Sequence, residues 1–274
     1  MSNNLVIFTD LDGTLLDKHT YQPGVSLASL ERCRRLKIPV IFVSGKSRAE
    51  MELVRKELNN DSPFISENGG GLYLPVKDFQ APEGASRIDS YWCLCYDENI
   101  GDVRNVLLKS ATEAGIEVKT FDQITALEVS ELTGLNLEHS KLAKIREFDE
   151  AFVIIDETPE KLKTLREKIA SHGYRYTHGG HFHHIMGNFD KGYRVDQVKK
   201  IYLSMNPTTK FAALGDACND LPMLKIVDYP FLVRRPDDTY DESVVFESLN
   251  ITAGIGPAGF AEAVDWLIKK LALE

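Results

Sequence analysis

Leu5-Val6-Ile7-Phe8-Thr9-Asp10-Leu11-Asp12-Gly13-Thr14 is the stretch on which the reading of this chain turns. Leu5 to Thr9 is a short apolar run rich in β-formers. It predicts a strand buried on both faces, as in a parallel sheet. The run stops abruptly at two acids, a glycine and a threonine. These fall just past the carboxyl end of the strand, where open α/β sheets hold their ligands.

The same pattern recurs outward from it. Residues 39–43 read as a second buried strand ending in Ser44-Gly45, and Ser47 with Glu50 three residues later signals a capped helix start. Residues 63–66 read as a third strand. Alternation of strand and helix implies a parallel sheet with right-handed crossovers. Pro82, Gly84 and Ser86 then suggest a linker. Residues 84–187 read as a separate α+β unit, with strands at 91–96, 151–155, 174–177 and 181–185. From Asp190 the α/β rhythm resumes. Lys191 begins a helix, 211–214 is a strand ending in Gly215-Asp216, and 230–233 is another. The expected architecture is one Rossmann-like α/β core, residues 1–83 and 188–274, interrupted by an α+β insertion over 84–187.

Composition narrows the partners. The 274 residues are 43% hydrophobic and 27% charged, with a formal net charge of −9. That is ordinary globular material. It carries no basic footprint for nucleic acid or anionic lipid. No run approaches the ~20 apolar residues of a membrane helix, and no signal peptide is visible. Cys33, Cys93, Cys95 and Cys218 are scattered, so reduced thiols and a cytoplasmic location are expected.

Polar groups gather at predicted strand ends and helix starts: Asp10 and Asp12, Ser44, Lys191, and Asp216 with Asn219 and Asp220. Each alone has a plainer reading. Asp12-Gly13 and Ser44-Gly45 are common in turns, and a lysine is usually solvated. Their joint order is the signal. Asp10-Leu11-Asp12-Gly13-Thr14, Ser44, Lys191 and Gly215-Asp216-Ala217-Cys218-Asn219-Asp220 together resemble the four motifs of the haloacid dehalogenase-like phosphatase superfamily. The resemblance covers the whole chain. An insertion between the second and third motifs is similar to that superfamily's type C2 cap in its α+β form.

The resemblance implies a Mg²⁺-dependent phosphomonoester hydrolase working through an aspartyl-phosphate. Such esters hydrolyse so slowly unaided that the site must supply on the order of 20 kcal/mol. Asp10 would be the nucleophile, and Asp12 the acid and then base. Ser44 and the Gly45 N–H would donate to phosphoryl oxygens, and Lys191 would neutralise charge. Mg²⁺ takes hard oxygen ligands and keeps several waters. Asp10, the Asp12 carbonyl and Asp216 would hold it, with Asn219 and Asp220 holding its waters or Lys191. No Gly-x-x-x-x-Gly-Lys-Ser/Thr loop is present, so nucleotide hydrolysis by that route is unsupported.

One branch looks similar in particular, the mannosyl-3-phosphoglycerate phosphatases. The carrying stretches are Arg146-Glu147-Phe148-Asp149-Glu150-Ala151-Phe152, Gly179-Gly180-His181-Phe182-His183-His184 and Asp190-Lys191-Gly192. Proline is expected where Ala151 stands, and often arginine where His181 stands. A glyceryl carboxylate would want Arg146 or a histidine pair, and sugar hydroxyls Glu147 and Glu150. Gly180, His181 and His183 complete the expected substrate contacts. His183 would share a strand face with His181 while His184 points away. A zinc site from His178, His181 and His183 is a rival, as are structural histidines. Another sugar phosphate, such as sucrose 6-phosphate or a hexose phosphate, is the alternative substrate. A phosphomutase and a non-catalytic phosphosugar-binding module are further alternatives. The insertion is expected to open and close over the core, with hinges near 82–86 and 187–190.

Overall fold

The computed structural model describes residues 4–179 and 182–274. The expected run forms β1 (Leu5–Thr9), with α1 (Ser26–Arg35), β2 (Val40–Val43), α2 (Arg48–Glu57) and β3 (Phe64–Ser66) following. Ser47 and Glu50 close a reciprocal capping box at the start of α2. Three strands then run antiparallel to their neighbours: β4 (Gly71–Pro75), β5 (Ser86–Ile88) and β6 (Tyr91–Cys95).

The chain next builds α3 (Ile100–Ala114), β7 (Val118–Thr120), α4 (Ala126–Thr133), α5 (Leu137–Ala143) and β8 (Asp149–Ile154). After these come α6 (Pro159–Ser171), β9 (Arg175–Gly179) and β10 (Phe182–Met186). The last stretch returns to the first layer through α7 (Lys191–Met205), β11 (Lys210–Gly215), α8 (Leu221–Leu224), β12 (Tyr229–Arg234), β13 (Asn250–Ile255) and α9 (Pro257–Lys270).

Among the described residues the larger sheet has nine strands in the order β13-β12-β11-β1-β2-β3-β4-β6-β5. From β13 to β3 every pairing is parallel. Along β1, Leu5 and Ile7 enter one apolar cluster and Val6 and Phe8 the other. Both faces are therefore covered, which is why the run reads as continuously apolar. β1 lies between β2 and β11, and the chain progresses away from it in both directions. A crevice thus opens at its carboxyl end, where Asp10 and Asp12 follow.

The smaller sheet has four antiparallel strands in the order β7-β8-β10-β9. Strand alternation divides its side chains. Phe152 and Ile185 pack on one face with Val103 and Leu107 of α3 and Leu165 and Ile169 of α6. Ala151 and Phe182 pack on the other face, with Phe121, Val129 and Ala143. That second face looks toward the crevice.

Two expectations are corrected. Residues 86–95 are not linker and insertion strand. They pair as β5 and β6 onto the larger sheet, Leu72 opposite Leu94 and Ser86 opposite Cys93. Antiparallel strands need no crossover helix, so the α/β rhythm carries no trace of them. Cys93 and Cys95 are joined as a disulfide, not free. Two residues apart on one strand, they share a face and bring their sulfurs together. No described helix is long and apolar enough to cross a membrane.

Candidate active site

The crevice collects one group from each predicted motif. Lys191, first residue of α7, reaches between two acids. Its Nζ donates to Asp10 Oδ1 and to Asp220 Oδ1, both at 2.6 Å. The other oxygen of Asp220 accepts the backbone N–H groups of Asp216 and Ala217, each at 3.1 Å. Asp220 therefore shapes the turn after β11 and anchors the lysine at once. Asp216 accepts from Thr14 Oγ1 at 3.4 Å and from Lys18 Nζ at 3.3 Å. Ligand atoms of Asp10, Asp216 and Asp220 lie within 4.8 Å of one another, and all three residues are buried.

Gly13 makes that packing achievable. Its φ is +93°, a region that favours glycine, and a Cβ there would stand 2.8 Å from Asp216 Oδ2.

Burial sets the electrostatics. It pushes the Asp10 carboxyl up to about 6, against the pull of Lys191. Burial also raises Asp216 and Asp220, and the neighbouring acids add to it. Lys191 loses solvation too, but Asp10 and Asp220 outweigh that and hold it charged. Three buried hard-oxygen donors crowded together fit a small divalent cation.

Ser44 follows β2 directly and is buried. Its carbonyl accepts from Asn68 N–H at 3.0 Å. Asp12 is held by a residue that the motif reading passed over: Lys46 Nζ lies 2.7 Å from Asp12 Oδ2. Asp12 Oδ1 is buried without a hydrogen-bond partner among the described residues. Asn219 also lines the crevice, and its amide donates to Asn68 Oδ1 at 3.2 Å.

The expected substrate contacts on the insertion fare differently. Arg146 reaches the crevice wall, with each of its three nitrogens bonded to a protein oxygen. Nε donates to the Asp149 carbonyl at 2.8 Å, Nη1 to the Gly45 carbonyl at 2.8 Å, and Nη2 to the Asp149 carboxylate. Glu147 stands outside the crevice beside Tyr73 Oη (3.2 Å) and Arg48 Nε (3.4 Å). Glu150 accepts from Arg104 Nε and the Phe121 N–H on the α3 side of the smaller sheet. His183 is on that same far face, 2.6 Å from Tyr176 Oη and 3.1 Å from Glu157. The contacts expected of Glu147, Glu150 and His183 are thus corrected. Strand parity turns the last two away from the crevice. Gly180 and His181 lie outside the described residues.

Parity brings others in. Ala151 and His184 face the crevice, reversing the expectation that His184 points away. Asp149 accepts from His184 Nδ1 at 2.9 Å and from Asn68 Nδ2 at 2.7 Å. Glu67 accepts three successive backbone N–H groups, those of Glu147, Phe148 and Asp149. The signal for Glu67 and Asp149 was weak but present: each is an acid at the boundary of an apolar strand. The zinc rival turns on His181, which lies outside the described residues; its other two members, His178 and His183, have ring centroids 4.9 Å apart. Among the described residues the cluster of metal-donor side chains is that of Asp10, Asp216 and Asp220.

Residues 7–244 match the family described as haloacid dehalogenase-like hydrolase. A glucosyl-3-phosphoglycerate/mannosyl-3-phosphoglycerate phosphatase of Methanococcoides burtonii is 40% identical over 266 residues, 97% of each chain. One of the same name from Persephonella marina is 34% identical over 267 residues, 96% of this chain and 97% of its own. The mannosyl-3-phosphoglycerate phosphatase of Pyrococcus furiosus is 30% identical across 83% of this chain and 90% of its own. Among solved structures, a Thermoplasma acidophilum protein superposes with a TM-score of 0.67 at 18% identity, covering 98% of both chains. A subclass IIB sugar phosphatase superposes with a TM-score of 0.66 at 15% identity, covering 98% of this chain and 99% of its own. At these identities the structures report the fold alone.

Proposed function

The chain belongs to the haloacid dehalogenase-like hydrolase family as a phosphoric monoester hydrolase, and from that premise we propose that it dephosphorylates a glycosyl-3-phosphoglycerate. The sugar is mannose or glucose, and the products are the glycosylglycerate and inorganic phosphate. The observation that carries this reading is the Lys191 bridge between Asp10 and Asp220, with Asp216 beside it and Asp12 poised nearby. The likeness of the Methanococcoides burtonii enzyme over 97% of both chains supports the substrate class.

In the proposed reaction Asp10 Oδ attacks phosphorus, and the bond from phosphorus to the ester oxygen breaks. Asp12 gives its proton to that departing oxygen. An aspartyl-phosphate remains on Asp10. Asp12, now a carboxylate, takes a proton from a water that attacks the same phosphorus, and phosphate leaves Asp10 intact. Ser44 and the Gly45 N–H hold the phosphoryl oxygens, and Lys191 offsets their charge. Mg²⁺, bound through Asp10, Asp216 and the Asp12 carbonyl, would supply further offset of anionic charge. Asn219 and Asp220 would hold the outer positions.

The insertion, residues 96–190 once β5 and β6 are assigned to the larger sheet, acts as a C2-type cap that selects the substrate. A phosphorylated sugar is the only partner the reading requires, and the product suits a cytoplasmic compatible solute.

The test is a phosphate-release panel in Mg²⁺ with mannosyl- and glucosyl-3-phosphoglycerate, sucrose 6-phosphate and glucose 6-phosphate. The first two are expected to turn over fastest. If both are inert while hexose phosphates are hydrolysed, the substrate assignment fails.

A further inference from the structure

Lys46 is a buried cation to which the proposed chemistry gives no task. It stands two residues after Ser44, in the turn between β2 and α2. Its side chain is 7% exposed, its Nζ is 2.7 Å from Asp12 Oδ2, and Glu50 Oε1 is 3.9 Å away. The Tyr21 ring lies 5.1 Å from the ammonium. A buried ammonium persists only where anions face it, and this one lines the crevice.

Lys46 is paired like the other cations of the crevice, but they are paired with groups other than Asp12. Lys191 is bonded to Asp10 and Asp220. Arg146 is spent on Asp149 and the Gly45 carbonyl. Lys18 pairs with Asp216, on the side of the acid cluster. Lys46 instead sits beside Asp12, the residue proposed to protonate the departing alcohol oxygen. Asp12 Oδ1 is buried with no hydrogen-bond partner among the described residues, while the side chain as a whole is 31% exposed. Proton transfer to the departing ester oxygen brings it within roughly 3 Å of an Asp12 carboxyl oxygen. Lys46 holds Oδ2 of that carboxyl, so its ammonium falls within about 6 Å of the ester oxygen. A carboxylate two carbons from that oxygen spans the gap.

We infer that Lys46 is the specificity residue that recognises a carboxylate on the alcohol part of the phosphate ester, two carbons from the ester oxygen. This deepens the glycosyl-3-phosphoglycerate reading and rests on it for the identity of the alcohol. The requirement it places on the substrate is narrower and chemically separable: an acid group adjacent to the ester, whatever sugar is attached.

The test compares two non-hydrolysable phosphonates in the full-length protein with Mg²⁺, by calorimetry. One is the analogue of 3-phosphoglycerate. The other is the analogue of glycerol 3-phosphate, in which the carboxylate is a hydroxymethyl. The native protein is expected to prefer the carboxylate by roughly 10- to 100-fold, the range of a charge-assisted hydrogen bond. K46M should collapse that ratio to about one, and K46R should restore part of it, which a purely structural role would not produce. Equal binding of the two by the native protein overturns the inference. So does a preference that survives K46M, or no measurable binding of either. K46R, which keeps the charge, also serves if K46M does not fold: a native preference that K46R shifts in neither direction counts against Lys46. The sugar assignment fails on the substrate panel, whereas the Lys46 inference fails on the carboxylate ratio, so the two are told apart.

Discussion

At the scale of single residues, what separates the acids of this site is what surrounds each one. Asp10 shares Lys191 with Asp220 and belongs to the metal-ready cluster, and its replacement is the plainest functional test. Asp10→Asn should lower turnover by roughly three orders of magnitude or more, since it removes the proposed nucleophile. Its thermal unfolding should hold or rise, because burial already disfavours the charged Asp10. A midpoint several degrees lower would mean that Asp10 is chiefly structural. Asp149 behaves in the opposite sense. Burial alone would raise it, yet Arg146 and His184 hold its carboxyl down, at about 2. A carboxyl depressed from its unfolded value stabilises the fold once ionised in both states, and that contribution disappears as pH falls through the folded value. About 2 kcal/mol should therefore be present above pH ~4 and lost toward pH ~2. Asp149→Asn should remove this slope and cost on the order of 2–4 kcal/mol at neutral pH, where Arg146 is left unpaired. Denaturant titrations across that pH range check both parts, and an unchanged acid slope would exonerate Asp149.

At the scale of elements, alternation was legible and orientation was not. The sequence shows plainly that His181 and His183 share one strand face and His184 the other. It does not show which face looks at the crevice. That is decided by α3 and α6, whose Leu107 and Leu165 cover the side of Phe152 and Ile185. The reading therefore chose Glu150 and His183, where packing presents Ala151 and His184. The short turn between β3 and β4 was similarly opaque. Gly69 there holds φ +108°, and a Cβ on it would stand 2.2 Å from the Asp190 carbonyl. Asp190 caps α7, whose first residue is Lys191. Gly69→Ala should thus cost ~2 kcal/mol or more through strain and lower turnover by displacing Lys191. Gly84→Ala is the control: φ is +76° but nothing lies within 4 Å, so a cost of about 1 kcal/mol with full activity is expected. Comparable losses of activity in both variants would dissociate Gly69 from Lys191.

At the scale of the molecule, the α/β rhythm and the four motif positions were legible because each is a local pattern repeated in order. How tightly the two sheets are joined was not, because the joining groups are far apart in sequence. The expectation is an insertion that opens and closes over the core, with hinges near 82–86 and 187–190. The first of those segments leads straight into β5, which is paired to β6 of the larger sheet and not free to hinge. Across the interface, Glu67 binds the N–H groups of residues 147–149. Asn68 binds Asp149, Arg146 binds the Gly45 carbonyl, and Ser47 Oγ donates to the Leu142 carbonyl at 2.8 Å. Hydrogen bonds to charged groups are worth roughly 1.5–3 kcal/mol each, so opening that breaks all of them is rare. These ties also end on the loop proposed to hold phosphate, since Gly45 follows Ser44. Loosening them should blur phosphate positioning before it unfolds either layer. Glu67→Gln keeps the shape but weakens the acceptor toward three amides. Burial raises the Glu67 carboxyl to about 7, so above that pH, where it is ionised, the change should speed hydrogen exchange at residues 147–149 by about tenfold or more, as one lost charged contact implies. KM should rise with a smaller fall in kcat, because substrate enclosure suffers more than the acids after β1 and β11. Unchanged exchange at 147–149 would show that Glu67 does not tie the layers. Faster exchange with unchanged KM would show that the tie plays no part in holding substrate.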